Sequence, residues 1–546
     1  MIFSHITQVS GEVASMTLPV PYPKDVLSRY QQLSASSHYS MLLESAEIDS
    51  KNSVKSIMLL DAALRIECNG LQVAITAISA NGQSLLPYLA EKLQPLAQTL
   101  LSPKLLQLTF SQPDPLLEEN LRLLQPNPFS ALRLIQQQLR CHSDEAYAVF
   151  LGGAISYDMV ATVEQLPDVP MAENQCPDYV FYLAETLLVL DHKTEQSRLI
   201  GNVFCGEQAP TNCFTIGNRL EQFKQLLTSP LATASKATSD KAINPEVNVD
   251  ISDETFMAQV EQLKQRIVAG DIFQVVPSRC FSLACPNPFA AYAKLKQQNP
   301  SPYMFYLQDA AFTLFGASPE SALKYEQSNR QVEIYPIAGT RRRGFAADGS
   351  IDHDLDSRIE LELRQDEKEK AEHLMLVDLA RNDVARISVA GSRYVKELLK
   401  VDRYSYVMHL VSRVIGTLKP ELDALHAYQA CMNMGTLVGA PKVKAAELIR
   451  GVEGKRRGSY GGAVGYLAGN GDFDSCIVIR SAYVANNTAY IQAGAGVVFD
   501  SVPQDEANET RSKAQAVINA ILSAHATTSA PANTSNTAAT SSALEV

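Results

Sequence analysis

The chain has 546 residues, 46% hydrophobic and 19% charged, with a formal net charge of -12. That length is enough for a large buried core, and about three or four domains is the soft prior it sets. The acidic balance, with no long run of Lys or Arg, disfavours nucleic acid and anionic lipid as partners.

The opening MIFSHITQVS lacks the basic region and continuous apolar core of a secretory leader. No stretch has the length and apolarity of a membrane span, so the cytoplasm is the expected compartment. The nine cysteines are odd in number and show no C-x-x-C spacing, which argues against a disulfide framework or a structural zinc site.

In chain order, strand-like runs such as LQVAITAIS and TLLVLDH mix with helical patterns over the first part of the chain, predicting an α+β region. SPLATASKATSDKAINPE (229–246) and ATTSAPANTSNTAATSSALEV (526–546) are small, polar and poor in core-forming residues. The division that follows is 1–230 as an N-terminal region, 231–250 as a linker, 251–523 as a catalytic region and 524–546 as a disordered tail.

Beyond the linker, FTLFG, VEIYPI, GGAVGYL, CIVIRSAYV and AYIQAGAGVVF read as strands. Asp366–Arg386 and Val502–Ala524 read as long helices with apolar stripes. Each helix carries two glutamates three residues apart, Glu369 with Glu372 and Glu506 with Glu509, so each pair shares one face. Facing pairs would supply hard oxygen ligands for Mg²⁺; by pattern alone they also fit a solvated, charge-rich face. The turns GASPE, AGTRRRG, GTLVGAPK, GSYGGAVGY and AGAG are dense in glycine, which suits either tight turns or close backbone approach to a carboxylate-bearing ligand. Lys442 and Arg480, nearby in sequence, favour a small dianion. His409 alternates with Val407 and Val411, the pattern of one strand face, where a lone histidine is commonly a satisfied core residue.

The segments PSPYMFY, FGASPES, IYPIAGT, AEHLMLVDLARND, DRYSYVMHLVSRV, GAPK, RRGSYGGAVGY, IRSA and AGAGVVFDSVPQDEANETRSKA occur together and in order. With them the chain resembles anthranilate synthase component I, among the chorismate-utilising enzymes, over residues about 40 to 523. The resemblance implies an α+β fold of two facing, layered β-sheets surrounded by helices, with the active site in the cleft.

It implies further that Glu372 and Glu509 bind Mg²⁺, that Glu369 and Glu506 hold it through water, that Glu320 is the general acid and that His409 serves the pyruvate-elimination stage. Gly339, Thr340, Thr436, Tyr460, Arg480, Gly494 and Gly496 match substrate contacts. Glu44, Ser45 and Lys55, with Pro302, Tyr303, Met304 and Tyr466, match a site for tryptophan as feedback inhibitor.

Gln274 stands where water-activating relatives carry lysine, and Ala338 where aminodeoxychorismate synthases, the runner-up reading, carry a nucleophilic lysine. Val438 replaces a usual serine and Arg342 a common proline. No G-x-C-x-G amidotransferase motif is present, which implies a separate glutaminase subunit supplying ammonia, hence a hetero-oligomer. The absence of tryptophan from the whole chain fits an enzyme made when tryptophan is scarce. A catalytically silent tryptophan-binding homologue is the reading from another class, and retention of the glutamates, Glu320 and His409 argues against it.

Overall fold

The computed structural model describes residues 3, 5–46, 53–114, 116–231, 246–346, 348–404 and 407–525. The fold is organised by two long strands, Ser53–Asn69 and Tyr179–Asp191, paired antiparallel from Lys55 with Asp191 to Cys68 with Tyr179. The register shifts between Leu59 and Leu64, where bulges bend the pair. Among the described residues, 23 strands join one hydrogen-bonded network, and the bend divides that network into two sheets that share the long pair.

The first sheet continues from Ser53–Asn69 to Ser40–Ala46 and thence to Tyr303–Gln308, Thr313–Ser318, Ser481–Ala485, Thr488–Gly494 and Ser278–Ala284. Its other flank runs from Tyr179–Asp191 through Gln196–Phe204 to Glu12–Val20. The second sheet continues from Tyr179–Asp191 to Leu151–Ile155, Ala463–Leu467, Phe473–Ile477, Ser321–Glu326, Gln331–Ile334 and Val407–Thr417. Ile337–Arg342 and Tyr394–Arg403 flank Val407–Thr417 on either side. Each sheet therefore joins a block of strands from the first half of the sequence to a block from the second.

Leu59, Phe150, Tyr182, Phe305, Leu314, Val464 and Val478 fill the space between the sheets. On the outer face of the first sheet, the helices Ala209–Thr228, Pro288–Gln298 and Pro503–His525 cover a second core. The helices Leu86–Leu93, Phe129–Gln138 and Glu367–Ile387 cover the outer face of the other. The result is the α+β, two-sheet architecture expected.

Local chemistry sets the helix that matters most. Asp366 caps Glu367–Ile387 by accepting from the backbone N–H of Lys368 and Glu369, which fixes where its glutamates start. Some expectations need revision. CIVIRSAYV is two strands broken by a turn at Arg480, whose φ is +50°, a left-handed conformation costly for a side-chain-bearing residue. Asn248–Val249, inside the span assigned to a linker, pairs with Ser282 and Phe281. The last helix ends at His525, two residues into the assigned tail; 232–245 and 526–546 lie outside the described residues.

Gly153 lies against the paired strand Tyr179–Asp191, where an added Cβ would stand 2.1 Å from the Val180 carbonyl oxygen and 2.6 Å from the Phe181 ring. Both are rigid neighbours. Gly153→Ala should destabilise the chain by about 1–3 kcal/mol, read as a fall in the urea midpoint; an unchanged midpoint would show that the two paired strands make room there at little cost.

Candidate active site

A cavity of about 400 Å³ opens beside the edge of the second sheet. Ala338, Gly339 and Thr340 from Ile337–Arg342, with His409 from the paired strand, form one wall. The helix Glu367–Ile387 contributes Glu369 and Glu372, and Pro503–His525 contributes Glu506, Glu509 and Lys513. Glu320, Thr436, Tyr460, Arg480, Gly494 and Gly496 complete it, so every residue expected to serve catalysis, substrate or metal lines one cavity. A larger cleft, about 790 Å³, lies beside the helix Phe129–Gln138 and contains none of them.

Glu320 is buried, and its Oε1 accepts a hydrogen bond from the Thr436 hydroxyl at 2.9 Å. Burial pushes its carboxyl up to about 8, against smaller opposing effects of Thr436 and the Lys513 charge. At neutral pH it is therefore a proton donor. His409 is half-buried, edge-on to Tyr404, with Nδ1 2.9 Å from the Thr340 hydroxyl. Burial, followed by the charges of Arg480 and Lys513, pulls it down to about 4, leaving a neutral imidazole able to accept a proton. Burial also works against the charge of the Arg480 guanidinium, whose Nη1 donates to the Lys513 carbonyl at 2.8 Å.

The four glutamates stand as two pairs. Glu369 is bound by Arg341 at 2.6 Å and Glu509 by Lys513 at 2.8 Å. Glu372 and Glu506 make no ion pair among the described residues. Burial raises Glu372 against the opposing charge of Lys368, and the Glu369 and Glu509 charges raise it further. Burial raises Glu506 too; at Glu509 burial is offset by Lys513, with a hydrogen bond to Glu506 and the Arg480 charge, which together hold that carboxyl low. Arg341 and Lys513 thus engage two of the four carboxylates, Lys368 and Arg480 also stand at the cavity, and a divalent ion would bridge the two that have no ion pair. Among the described residues no three His, Cys, Asp or Glu side chains already converge as a cage. All-oxygen donors at this spacing suit Mg²⁺, which keeps several waters and shares its coordination with substrate.

Lys513 was not singled out from sequence, although it lies four residues after Glu509, within helical reach of it. Lys442, read as favouring a small dianion, is not among the cavity residues: its ammonium pairs with buried Asp383 at 2.5 Å and donates to the Cys431 carbonyl. Val438 is buried among Val275, Ala445 and Ile449 and does not line the cavity, and Arg342 is exposed. Neither departure removes a side chain from the site. Gln274 and Ala338, the two discriminating positions, both line it, and the Gln274 Oε1 is buried without a protein partner.

The residues expected for tryptophan gather elsewhere. Glu44, Ser45, Lys55, Tyr303, Met304 and Tyr466 border a cavity of about 40 Å³ between the sheets, joined by Asp474, which sequence reading missed. Pro302 does not line it; its carbonyl accepts from Ala46 N–H at 2.9 Å at the same strand end. Alternation along Ser40–Ala46 separates the set: Ser45 pairs with Tyr303 and Lys55, Glu44 with Met304 and Ser56. The Glu44 carboxylate is engaged by Tyr292 at 2.7 Å and Lys296 at 2.6 Å. Asp474, held by the Tyr303 hydroxyl at 3.2 Å, is the acid on the Tyr303 side.

The raised Glu320 gives a stability signature. Its carboxyl titrates near 4.5 when unfolded and about 8 when folded, so the folded chain binds the extra proton between those values and wild-type stability falls as pH rises through that window. Glu320→Gln lacks this loss. Its thermal midpoint relative to wild type should rise from about pH 5 to 8 and then level off, while activity falls by about 10²- to 10⁴-fold. A midpoint difference independent of pH would place an ionised Glu320 in the cavity.

The chain matches the model of chorismate binding enzymes over residues 102–519. It is 58% identical over 506 residues to anthranilate synthase component 1 of Vibrio cholerae, covering 93% of this chain and 96% of that protein. The Escherichia coli protein of the same name is 55% identical over 510 residues, covering 93% and 97%. Among solved structures, anthranilate synthase component I of Streptococcus pneumoniae superposes with a TM-score of 0.65 at 31% identity, over 85% of this chain and 92% of that one. The menaquinone-specific isochorismate synthase of Escherichia coli gives 0.65 at 16% identity over 95% and 96%, a likeness of fold alone. With its cavity, its paired glutamates and these relatives, the chain belongs to the chorismate binding enzymes, in the anthranilate synthase component 1 family.

Proposed function

We propose that the chain converts chorismate and ammonia to anthranilate and pyruvate, in the first step of tryptophan biosynthesis, as a Mg²⁺-dependent lyase inhibited by tryptophan. The observation that carries this is the cavity itself: a protonated acid and a neutral histidine beside two carboxylate pairs, with no lysine at 274 or 338. Ala338 cannot attack chorismate, and Gln274 cannot deprotonate water, so neither relative's chemistry is available.

Glu372 and Glu509, with Glu369 and Glu506 through water, would hold Mg²⁺, which when bound supplies positive charge to the ring carboxylate. Arg480 offers a planar fork to the enolpyruvyl carboxylate. Glu320 protonates the departing C4 hydroxyl as ammonia forms its bond to C2. Aromatisation then requires loss of the C2 proton and of pyruvate, and neutral His409 is the base within the cavity. Because the chain has no amidotransferase nucleophile motif, ammonia comes from a partner glutaminase subunit. The absence, among the described residues, of a helix long and apolar enough to cross a membrane accords with action in the cytoplasm.

The chain incubated with chorismate, Mg²⁺ and an ammonium salt should give anthranilate fluorescence, and none with glutamine in place of ammonium. Glu372→Ala and Glu509→Ala should abolish it at low Mg²⁺ while the fold persists, since each removes a charged oxygen from a site with few protein ligands. Glutamine-dependent turnover by the single chain, or near-normal rates in both variants, would contradict this reading.

For the inhibitor, Ser45, Lys55, Tyr303 and Asp474 offer hydrogen bonds and both signs of charge to an amino acid wedged between the sheets. Ser45→Ala should cost about 1–1.5 kcal/mol of tryptophan binding and so raise the half-inhibiting concentration about tenfold, with the rate in tryptophan-free buffer little changed. Rate curves against tryptophan check this; an unmoved curve for Ser45→Ala would displace the site.

A further inference from the structure

One histidine between the carboxylate helix and the substrate wall has no part in the chemistry described. His373 follows Glu372 on Glu367–Ile387 and is fully buried. Its Nδ1 lies 3.2 Å from the Ala338 carbonyl oxygen and its Nε2 lies 2.7 Å from the Ser412 hydroxyl. A carbonyl only accepts, so Nδ1 carries the hydrogen; Nε2 of the neutral ring then accepts, and Ser412 donates. The Ser412 oxygen in turn accepts the Leu399 N–H at 3.0 Å. Each hydrogen in this chain has one assignment.

Where those bonds fall is what gives them a consequence. The ladder between Ile337–Arg342 and Val407–Thr417 changes register between Ala338 and Thr340, at Gly339, whose φ is +84°. His373 grips the strand on the near side of that irregularity, and Thr340 reaches His409 from the far side at 2.9 Å. Ser412, its other partner, lies three residues after His409 on the same strand. The irregularity also approaches the carboxylates: a Cβ at Gly339 would stand 3.3 Å from Glu369 Oε2. Glu320, by contrast, is held by Thr436 and the Ser318 turn, on other elements.

We infer that His373 is a positioning residue that ties the carboxylate helix to the strands bearing Thr340 and His409, and that the aromatising stage depends on it more than the amination. This rests on the reaction assigned above. Loss of the imidazole frees the Ala338 carbonyl and the Ser412 hydroxyl together, letting the irregularity and the Thr340–His409 contact relax. A displacement of about 1 Å at a reacting group is enough to cost on the order of 10²-fold. The departure of the C4 hydroxyl, served by Glu320, is spared.

The test follows product partition in His373→Leu, His373→Asn and Ser412→Ala, with chorismate, Mg²⁺ and ammonium, by mass analysis of everything released. Wild type should release anthranilate. His373→Leu should lose about ten- to a hundredfold in anthranilate kcat and release the aminated intermediate as its main product, with KM for chorismate within about threefold of wild type. His373→Asn, whose amide can still donate to Ala338, should recover anthranilate in large part, and Ser412→Ala should shift the ratio the same way by less. Equal slowing of both stages with an unchanged ratio would overturn the inference, because a purely structural histidine does that. If His373→Leu does not fold, Ser412→Ala decides by the same ratio, since it removes a single hydroxyl. If wild type itself makes no anthranilate, the assigned reaction fails, and this inference with it.

Discussion

The pairing of Ser53–Asn69 with Tyr179–Asp191 is the constraint on which the architecture depends. Strands this long twist too far to remain in one flat layer, and the bulges between Leu59 and Leu64 let the pair leave one sheet and enter the other. Each end of the pair then recruits partners from the second half of the chain. Ser40–Ala46 leads to Tyr303–Gln308, and Leu151–Ile155 leads to Ala463–Leu467. Neither half can complete a sheet alone, so a linear division of the sequence describes composition better than it describes folding.

The cavity at the edge of the second sheet meets opposed electrostatic demands within one space. Glu320 stays protonated because burial leaves it only the Thr436 hydroxyl as a close partner and Lys513 acts on it weakly. Glu509, nearby, stays charged because the same Lys513 ammonium touches it. With Arg341 on Glu369, two of the four glutamates are engaged, and Glu372 and Glu506 keep no ion pair among the described residues. Unpaired carboxylates repel an anionic substrate, so under the proposed reading entry of the anion is helped by a divalent cation between them.

Much of the fold and of the cavity is legible in the amino-acid sequence. Helix limits for the two glutamate pairs fall within a residue or two of those expected, because capping Asp366 and the apolar stripes are local signals. The identity of the cavity residues comes from the resemblance rather than from pattern, since a glutamate pair on a helix and a histidine on a strand have commoner explanations. What sequence misses is directional. Lys442 sits in a motif full of site residues yet turns to Asp383, and Lys513 sits in a helix whose acids alone drew notice. The break at Arg480 is hidden because CIVIRSAYV is largely apolar on both sides of it, and the left-handed turn that ends one strand uses no glycine. Asp474 escapes because, although it faces Tyr466 across a local hairpin, its hydrogen-bond partner Tyr303 is 171 residues away in sequence.

The two cavities are separated by little more than one strand pair, which bears on how an inhibitor could act. Tyr303, at the inter-sheet cavity, pairs with Ser318; the Ser318 hydroxyl receives the Glu320 N–H at 3.3 Å and donates to the Glu320 carbonyl at 3.2 Å. From the other side, Cys476 lines the same cavity and pairs with Ser321. Glu320 thus hangs on a turn whose two flanking strands are both gripped at the inter-sheet cavity. With about 40 Å³ there, an amino acid of indole size needs the groups lining the cavity to shift before it can enter. Under the proposed inhibition, such a shift reaches Glu320 through its flanking strands, and a ligand that favours one arrangement over the other is what inhibition at a distance requires.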